Sequence, residues 1–82
     1  MIKLNVNGTA ETFEDTSLES MQQAVGGYIE IIRFGSQEQL MVLDEEGKLK
    51  NKPINKVATL LANIHGDYIV GDVLIAEDGE IE

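Results

Sequence analysis

The chain begins with a pattern that is typical of a half-buried β-strand. Ile2, Leu4 and Val6 alternate with polar residues, so one face of an extended segment is apolar. Asn7-Gly8 follows and predicts a tight hairpin turn, because both residues tolerate a positive φ. The returning segment, residues 9–13, has few apolar side chains. It therefore predicts an edge strand.

The next segment predicts an amphipathic helix over residues 17–25. Apolar residues recur there at helical spacing on one face, namely Leu18, Met21 and Val25. Thr16 is in position to cap the first turn, and Glu19 is placed to complete a capping box with it. Gly26-Gly27 predicts the end of the helix, because glycine readily adopts the left-handed conformation of a helix stop.

The middle of the chain predicts two strands joined by a loop of hairpin length. Residues 28–34 are rich in β-branched and aromatic side chains, which are common in strands. Residues 40–43 are apolar without interruption, as expected for a strand inside a sheet. Residues 35–38 form the loop between them.

A second helix and a last strand follow. The helix is predicted by an apolar stripe at helical spacing, formed by Ile54, Val57, Ala58, Leu61 and Ile64. Asn51 is a candidate cap, or Pro53 lies just before a later start, and Gly66 marks the end. Residues 69–76 predict a strand that bends at Gly71-Asp72.

These elements follow one another in the order ββαββαβ and predict an α+β fold. We expect a mainly antiparallel sheet with both amphipathic helices packed on one face. Residues 1–76 form one domain in this interpretation, and residues 77–82 form an acidic tail that frays.

Composition narrows the possible chemistry. The chain of 82 residues has no cysteine and a single histidine, His65, so disulfides and thiolate or histidine-rich metal sites are excluded. A domain of this size has a thin margin of stability, which makes a homo-oligomer an option. No apolar run approaches the ~20 residues that span a bilayer, and the N-terminus has no signal-peptide core. We therefore predict a cytoplasmic protein with no membrane partner.

The charge balance also bears on function. Fifteen acidic and six basic residues give a net charge of −9, which disfavours binding to DNA or to anionic membranes. No phosphate-loop or dinucleotide fingerprint occurs, and the acidic turn at Asp44-Glu45-Glu46 lacks the ligand spacing of a calcium loop. His65 has the position of a surface residue near a helix end. We therefore predict a binding protein rather than an enzyme, with no cofactor.

One segment departs from the acidic background. Four of the six basic residues lie within residues 48–56, which contain no acid: Lys48, Lys50, Lys52 and Lys56. This segment carries +4, whereas the other 73 residues carry fifteen acids and two bases, hence −13. The segment also leads into the second predicted helix, whose N-terminal amides and dipole attract anions.

The lysine segment predicts a site for a small phosphate-bearing, nucleotide-like ligand. The lysines would neutralise phosphate, and Asn55 would contribute a polar side chain for recognition. Thr59 lies one helical turn from Asn55, so the two predict a shared polar surface opposite the apolar stripe. Tyr28 would provide a stacking face if the fold brings it near. The predicted function is sequestration of such a signal.

Three other interpretations stay open, and one of them is an accessory or regulatory module with a structural role. The lysines would serve only charge balance if they dock against Asp44, Glu45 and Glu46 in the preceding turn. Alternatively, the acidic surface would bind a basic groove of a host protein, as a DNA-mimicking inhibitor of a nuclease or restriction enzyme does.

Three strings of residues resemble a known family. They are VGGYIE at residues 25–30, DEEGKLK at residues 44–50 followed by PINKVAT at residues 53–59, and IVGDVLI at residues 69–75. In their order and spacing they resemble the small bacterial and phage proteins of domain of unknown function 3846. The resemblance covers residues 18–75 and implies no catalytic residue. It implies a phage or mobile-element setting, in which small acidic proteins often counter host defences.

Overall fold

The computed structural model describes residues 1–35 and 38–81. Its elements are β1 (Ile2–Leu4), β2 (Ala10–Thr12), α1 (Leu18–Val25), β3 (Ile29–Phe34), β4 (Gln39–Asp44), α2 (Lys56–Ala62) and β5 (Val73–Glu77). The strands form one sheet in the order β2-β1-β5-β4-β3, and neighbouring strands run antiparallel. The predicted α+β class with an antiparallel sheet is confirmed. No helix in these described residues is long and apolar enough to cross a membrane.

The positions of the strands follow their apolar content. β2 is exposed along its length and lies at one edge, as its polar sequence predicts. β4 lies inside the sheet, and Leu40 to Asp44 are all buried there. The predicted hairpin loop joins β3 to β4, but its residues 36–37 lie outside the described part of the chain.

The two helices cover opposite faces of the sheet, so the prediction that both pack on one face is wrong. Met41 and Leu43 of β4 belong to a core cluster with Ala58 of α2. Val42, between them, belongs to a second cluster with Met21 of α1, called the α1 cluster below. Alternate residues of a strand point to opposite faces, so a sheet covered on both faces produces the uninterrupted apolar run of β4.

α1 begins one residue later than the capping pattern predicts. Ser17 is the N-cap, and its hydroxyl accepts a hydrogen bond from the Ser20 amide at 3.2 Å. The Asp15 carboxylate accepts from the Ser17 amide at 2.9 Å and from the Ser20 hydroxyl at 2.7 Å. The predicted Thr16–Glu19 box is therefore wrong, whereas the stop is confirmed at Gly26, which has a φ of 83°.

α2 is shorter than its apolar stripe predicts. Asn55 is its N-cap, so Asn51 is not the cap. The helix starts shortly after Pro53, as the second alternative predicts. Asn63, in a left-handed conformation with a φ of 51°, ends it before Gly66. Because both ends are capped by asparagines, the regular helix covers only residues 56–62.

The C-terminal residues are attached to the fold. Residues 69–70 precede β5 and form only an isolated bridge between Val70 and Ile54. Beyond β5, Ile81 packs against the α1 cluster, and the Glu80 carboxylate accepts a hydrogen bond from the Met1 ammonium at 3.0 Å. Residues 77–81 of the predicted acidic tail are thus docked, and Glu82 lies outside the described residues.

Candidate functional site

Two of the four lysines converge on one buried carboxylate. The Lys52 ammonium lies 2.7 Å from Asp44 Oδ2, and the Lys50 ammonium lies 2.9 Å from the same oxygen. The Asp44 side chain is only 1% exposed, and its other oxygen accepts a hydrogen bond from the Glu46 amide at 2.9 Å. Asp44, Lys50 and Lys52 are called the Asp44 cluster below.

The Asp44 cluster also holds the end of α1. Lys50 Nζ donates to the Gly26 carbonyl at 3.1 Å, and Lys52 Nζ donates to the Val25 carbonyl at 2.5 Å. The last carbonyls of a helix lack internal partners and carry the negative end of the helix dipole. The two ammonium groups therefore cap α1 and neutralise Asp44 at the same time.

Glycines make this close approach possible. A Cβ atom on Gly26 would lie 2.8 Å from Lys52 Nζ, and one on Gly71 would lie 2.9 Å from Lys52 Cδ. A Cβ atom on Gly27 would lie 2.7 Å from Asp44 Oδ1. The strings at residues 25–30, 44–50 and 69–75 thus meet at the Asp44 cluster, where they have a structural role.

The environment of Asp44 favours its charged form. Burial alone would raise the pKa of this carboxyl group, but the hydrogen bonds from Lys52, Lys50 and the Glu46 amide outweigh burial and hold the pKa at about 2. The carboxylate is therefore ionised at any physiological pH and stays paired with its lysines.

The other two lysines lie apart from this cluster. Lys48 forms an ion pair with Asp67, and its ammonium lies 4.5 Å from the centre of the Tyr68 ring. The hydrogen bond that Lys48 donates to the Asp67 carboxylate raises the pKa of Lys48 above its ordinary value. Lys56 is exposed at the start of α2. The four ammonium groups do not surround a common site, and a phosphate would have to displace Asp44 and Asp67 from three of them.

Asn55 is a structural residue, and the expectation that it lies on an exposed polar surface is wrong. The residue is 1% exposed. Its Oδ1 accepts from the Ala58 amide at 3.1 Å, and its Nδ2 donates to the carbonyls of Leu4 at 3.1 Å and Gly71 at 2.9 Å. This side chain therefore joins α2 to β1 and to the segment before β5.

Thr59 and Tyr28 have different positions. The Thr59 hydroxyl donates to the Asn55 carbonyl at 2.8 Å and accepts from the Ile69 amide at 2.9 Å, so it also connects α2 to the neighbouring segment. Tyr28 is 68% exposed just before β3, and its carbonyl accepts from the Glu45 amide at 2.9 Å. Neither residue is brought into a pocket with the Asp44 cluster.

The main feature that the sequence interpretation missed is the outer face of α2. It consists of large apolar side chains that remain exposed to solvent, namely Ile54, Val57, Leu60, Leu61 and Ile64. Leu60 is the most exposed of them at 79%. Only Ala58 and Ala62 of this helix are buried against the sheet. Helical periodicity identifies an apolar face, but it does not tell which way that face points.

Two hollows adjoin this face. One, of about 490 Å³, lies between the C-terminal half of α2 and the end of β3 and is lined by Leu60, Leu61, Arg33 and Phe34. The other, of about 280 Å³, is lined by Ile64, Tyr68, Lys48 and Ile32. No group of three or more potential metal-ligating residues occurs within residues 1–35 and 38–81.

Comparison with known proteins identifies a family but no activity. No curated protein and no solved structure matches the chain. The model of one family, described as a domain of unknown function, matches residues 2–82. The chain therefore belongs to the domain of unknown function 3846 (DUF3846) family.

Proposed function

We propose that this chain is a non-catalytic binding protein that docks onto a protein partner through the outer face of α2. The observation that supports this proposal is the inverted burial of the helix, with alanines inward and large aliphatic side chains outward. Contiguous exposed apolar residues on a small protein are typical of an interaction surface.

The spacing of the face indicates the shape of its partner. Within α2, Leu60 and Leu61 follow Val57 by three and four residues, and Ile54 and Ile64 flank them just outside the two ends of the helix. Side chains at this spacing pack into an apolar groove or against the apolar stripe of another helix. The partner we expect therefore presents an apolar helix or groove.

Charge indicates what surrounds that apolar surface. Residues 48–66 contain four lysines and no acid, whereas the chain as a whole carries −9. Three of these lysines have carboxylate partners, which leaves Lys56 as the exposed cation on α2 itself. A carboxylate at the rim of the partner's groove would complement Lys56 and favour this orientation of docking.

The geometry gives less support to binding of a nucleotide-like ligand. Such a ligand would compete with Asp44 for Lys50 and Lys52, and with Asp67 for Lys48. Asn55, which would read the ligand, already uses both ends of its amide. In the phage setting that the family resemblance implies, we propose a cytoplasmic host protein as the partner.

The variant Leu60→Asp tests the proposal. Leu60 is exposed, so the variant should fold normally while placing a charge at the most exposed position of the apolar face. Leu18→Asp is the matched control, because Leu18 is exposed on α1 across the sheet. The proposal is supported if a host protein is captured from lysate by the wild type and by Leu18→Asp but not by Leu60→Asp. The capture should persist in about 0.5 M salt, which is about five times the ionic strength at which the screening length is ~10 Å, because an apolar contact does not depend on surface charges.

Two results would contradict it. Capture that survives Leu60→Asp but disappears in salt indicates binding through the acidic surface. Binding of a phosphate-bearing ligand in isothermal titration, lost when Lys50 and Lys52 are replaced by methionine, indicates the nucleotide hypothesis instead.

A further inference from the structure

The two edges of the sheet differ in how they are protected. β2 is short, polar and carries Glu11 in its middle, features that discourage pairing with another strand. β3 at the other edge has six residues, IEIIRF, and contains no proline or lysine. Ile31 in its centre is 43% exposed. Such an edge is a template for a further strand.

The backbone groups that face this open edge can be identified. The Glu45 amide donates to the Tyr28 carbonyl at 2.9 Å, and the register pairs Ile29 with Asp44. In an antiparallel ladder, residues point their N–H and C=O groups alternately toward and away from the neighbouring strand. Residues 28, 30, 32 and 34 therefore bond to β4, and residues 29, 31 and 33 direct their backbone groups outward.

We propose that two copies of this chain pair through β3, antiparallel, about a two-fold axis that passes beside Ile31. An axis perpendicular to the sheet keeps each side chain on its own face. Ile31 then lies opposite Ile31 of the second copy, and Ile29 lies opposite its Arg33. In this register each outward-facing residue meets another outward-facing residue, so the edge hydrogen bonds are all satisfied.

Charge and side-chain pairing favour a second copy as the occupant. β3 contains one glutamate and one arginine, so its net charge is zero in a chain of −9. Pairing through this strand therefore brings no net charge of the two strands together, although each molecule is acidic. The same register places Ile31, which is 43% exposed, opposite Ile31 of the second copy, so that both apolar side chains are removed from water.

The residue that tests this contact lies away from the outer face of α2. Ile29, which packs with the α1 cluster, shares its face of the sheet with Ile31, and α2 covers the opposite face. The two surfaces adjoin at the end of β3, where Phe34 lines one hollow with Leu60 and Leu61. Both variants are therefore compared in both assays. Loss of partner capture with Leu60→Asp bears on the proposed function, whereas loss of the dimer with a β3 variant bears on pairing through β3.

Sedimentation equilibrium of the full chain tests the pairing. We expect a dimer for the wild type and a monomer for Ile31→Lys, because the new ammonium groups would face each other across the two-fold axis. Ile2→Lys is the control: Ile2 is equally exposed at 43%, but it lies on the interior strand β1. It should remain dimeric. A wild type that is monomeric at all concentrations, or a dimer that Leu60→Asp dissociates and Ile31→Lys does not, overturns the proposal.

Residue-resolved amide hydrogen exchange of the wild type gives a second test that needs no variant. The amides of residues 30, 32 and 34 should be protected at every concentration, because they bond to β4. The amides of Ile29 and Ile31 should be protected only where the dimer is populated and should exchange rapidly on dilution. Rapid exchange of these two amides under conditions where the protein is dimeric would place the contact elsewhere and refute pairing through β3.

Discussion

The two helices have similar lengths and apolar stripes, but the sheet holds them in opposite ways. α1 buries Met21 and Val25 against its face of the sheet. α2 approaches the other face with Ala58 and Ala62 and leaves its larger side chains in solvent. Burial of large side chains therefore stabilises α1, whereas hydrogen bonds through a buried cap position α2. The comparison shows that the same helical period can serve a core or a docking surface.

The largest expected contrast comes from truncating one apolar residue on each helix. Met21→Ala should lower the free energy of unfolding by about 3 kcal/mol, because it leaves a cavity in the α1 cluster. Leu60→Ala should change it by less than about 0.5 kcal/mol, because this side chain is exposed. Urea denaturation measures both. Equal losses would contradict the outward orientation of the α2 face.

Removal of the N-cap residue should cost more stability in α2 than in α1, which is the reverse of the order expected for the apolar truncations. Asn55→Ala removes a cap and leaves the carbonyls of Leu4 and Gly71 without their donor, so we expect a loss of about 3 kcal/mol. Ser17→Ala removes an exposed cap on α1 and should cost about 1 kcal/mol. Thermal and urea unfolding of the two variants measure the difference. A larger loss for Ser17→Ala would show that α2 does not depend on its cap.

The Asp44 cluster, which anchors the end of α1, should make stability depend on pH. The pKa of Asp44 falls from 3.8 to about 2 on folding, so its contribution is present above pH 4 and is lost as the pH falls from about 4 to about 2. The shift corresponds to about 2 kcal/mol. Asp44→Asn should therefore be less stable than the wild type near neutral pH by this amount.

The difference between the two proteins should then close below pH 4. Urea denaturation from pH 6 to pH 2 measures it, and Glu45→Gln, at an exposed position in the same turn, serves as the control. A difference that stays constant across this range would show that pairing with Lys50 and Lys52 does not hold the pKa of Asp44 down.

The smallest effect on stability is expected at Lys56. Lys56→Glu should change the free energy of unfolding by less than about 0.5 kcal/mol, since the residue is exposed. The same variant should slow association with a partner that docks on the outer face of α2, while the dissociation rate changes little, because a rim charge acts mainly on encounter. Surface plasmon resonance with the captured partner separates the two rates.

Part of the candidate site could be predicted because it depends on local chemistry. The lysine segment is evident in the sequence, and so is the option that it balances Asp44. The division of its lysines between Asp44 and Asp67 was not predictable, because Asp67 is nineteen positions from Lys48 and is brought near only by the turn after α2. The buried position of Asn55 likewise depends on carbonyls of Leu4 and Gly71, which are distant in sequence.

The sequence by itself determined the type and order of the elements of this chain, whereas their exact ends differ from the prediction for α1, α2 and β5. Alternation, helical spacing and glycine positions act over a few residues, so they can be read without the fold. Only the tertiary structure decided that the helices lie on opposite faces, that the apolar stripe of α2 points outward and that β3 is an open edge. These properties depend on which distant strands become neighbours, and the local pattern of a strand is the same whichever neighbour it acquires.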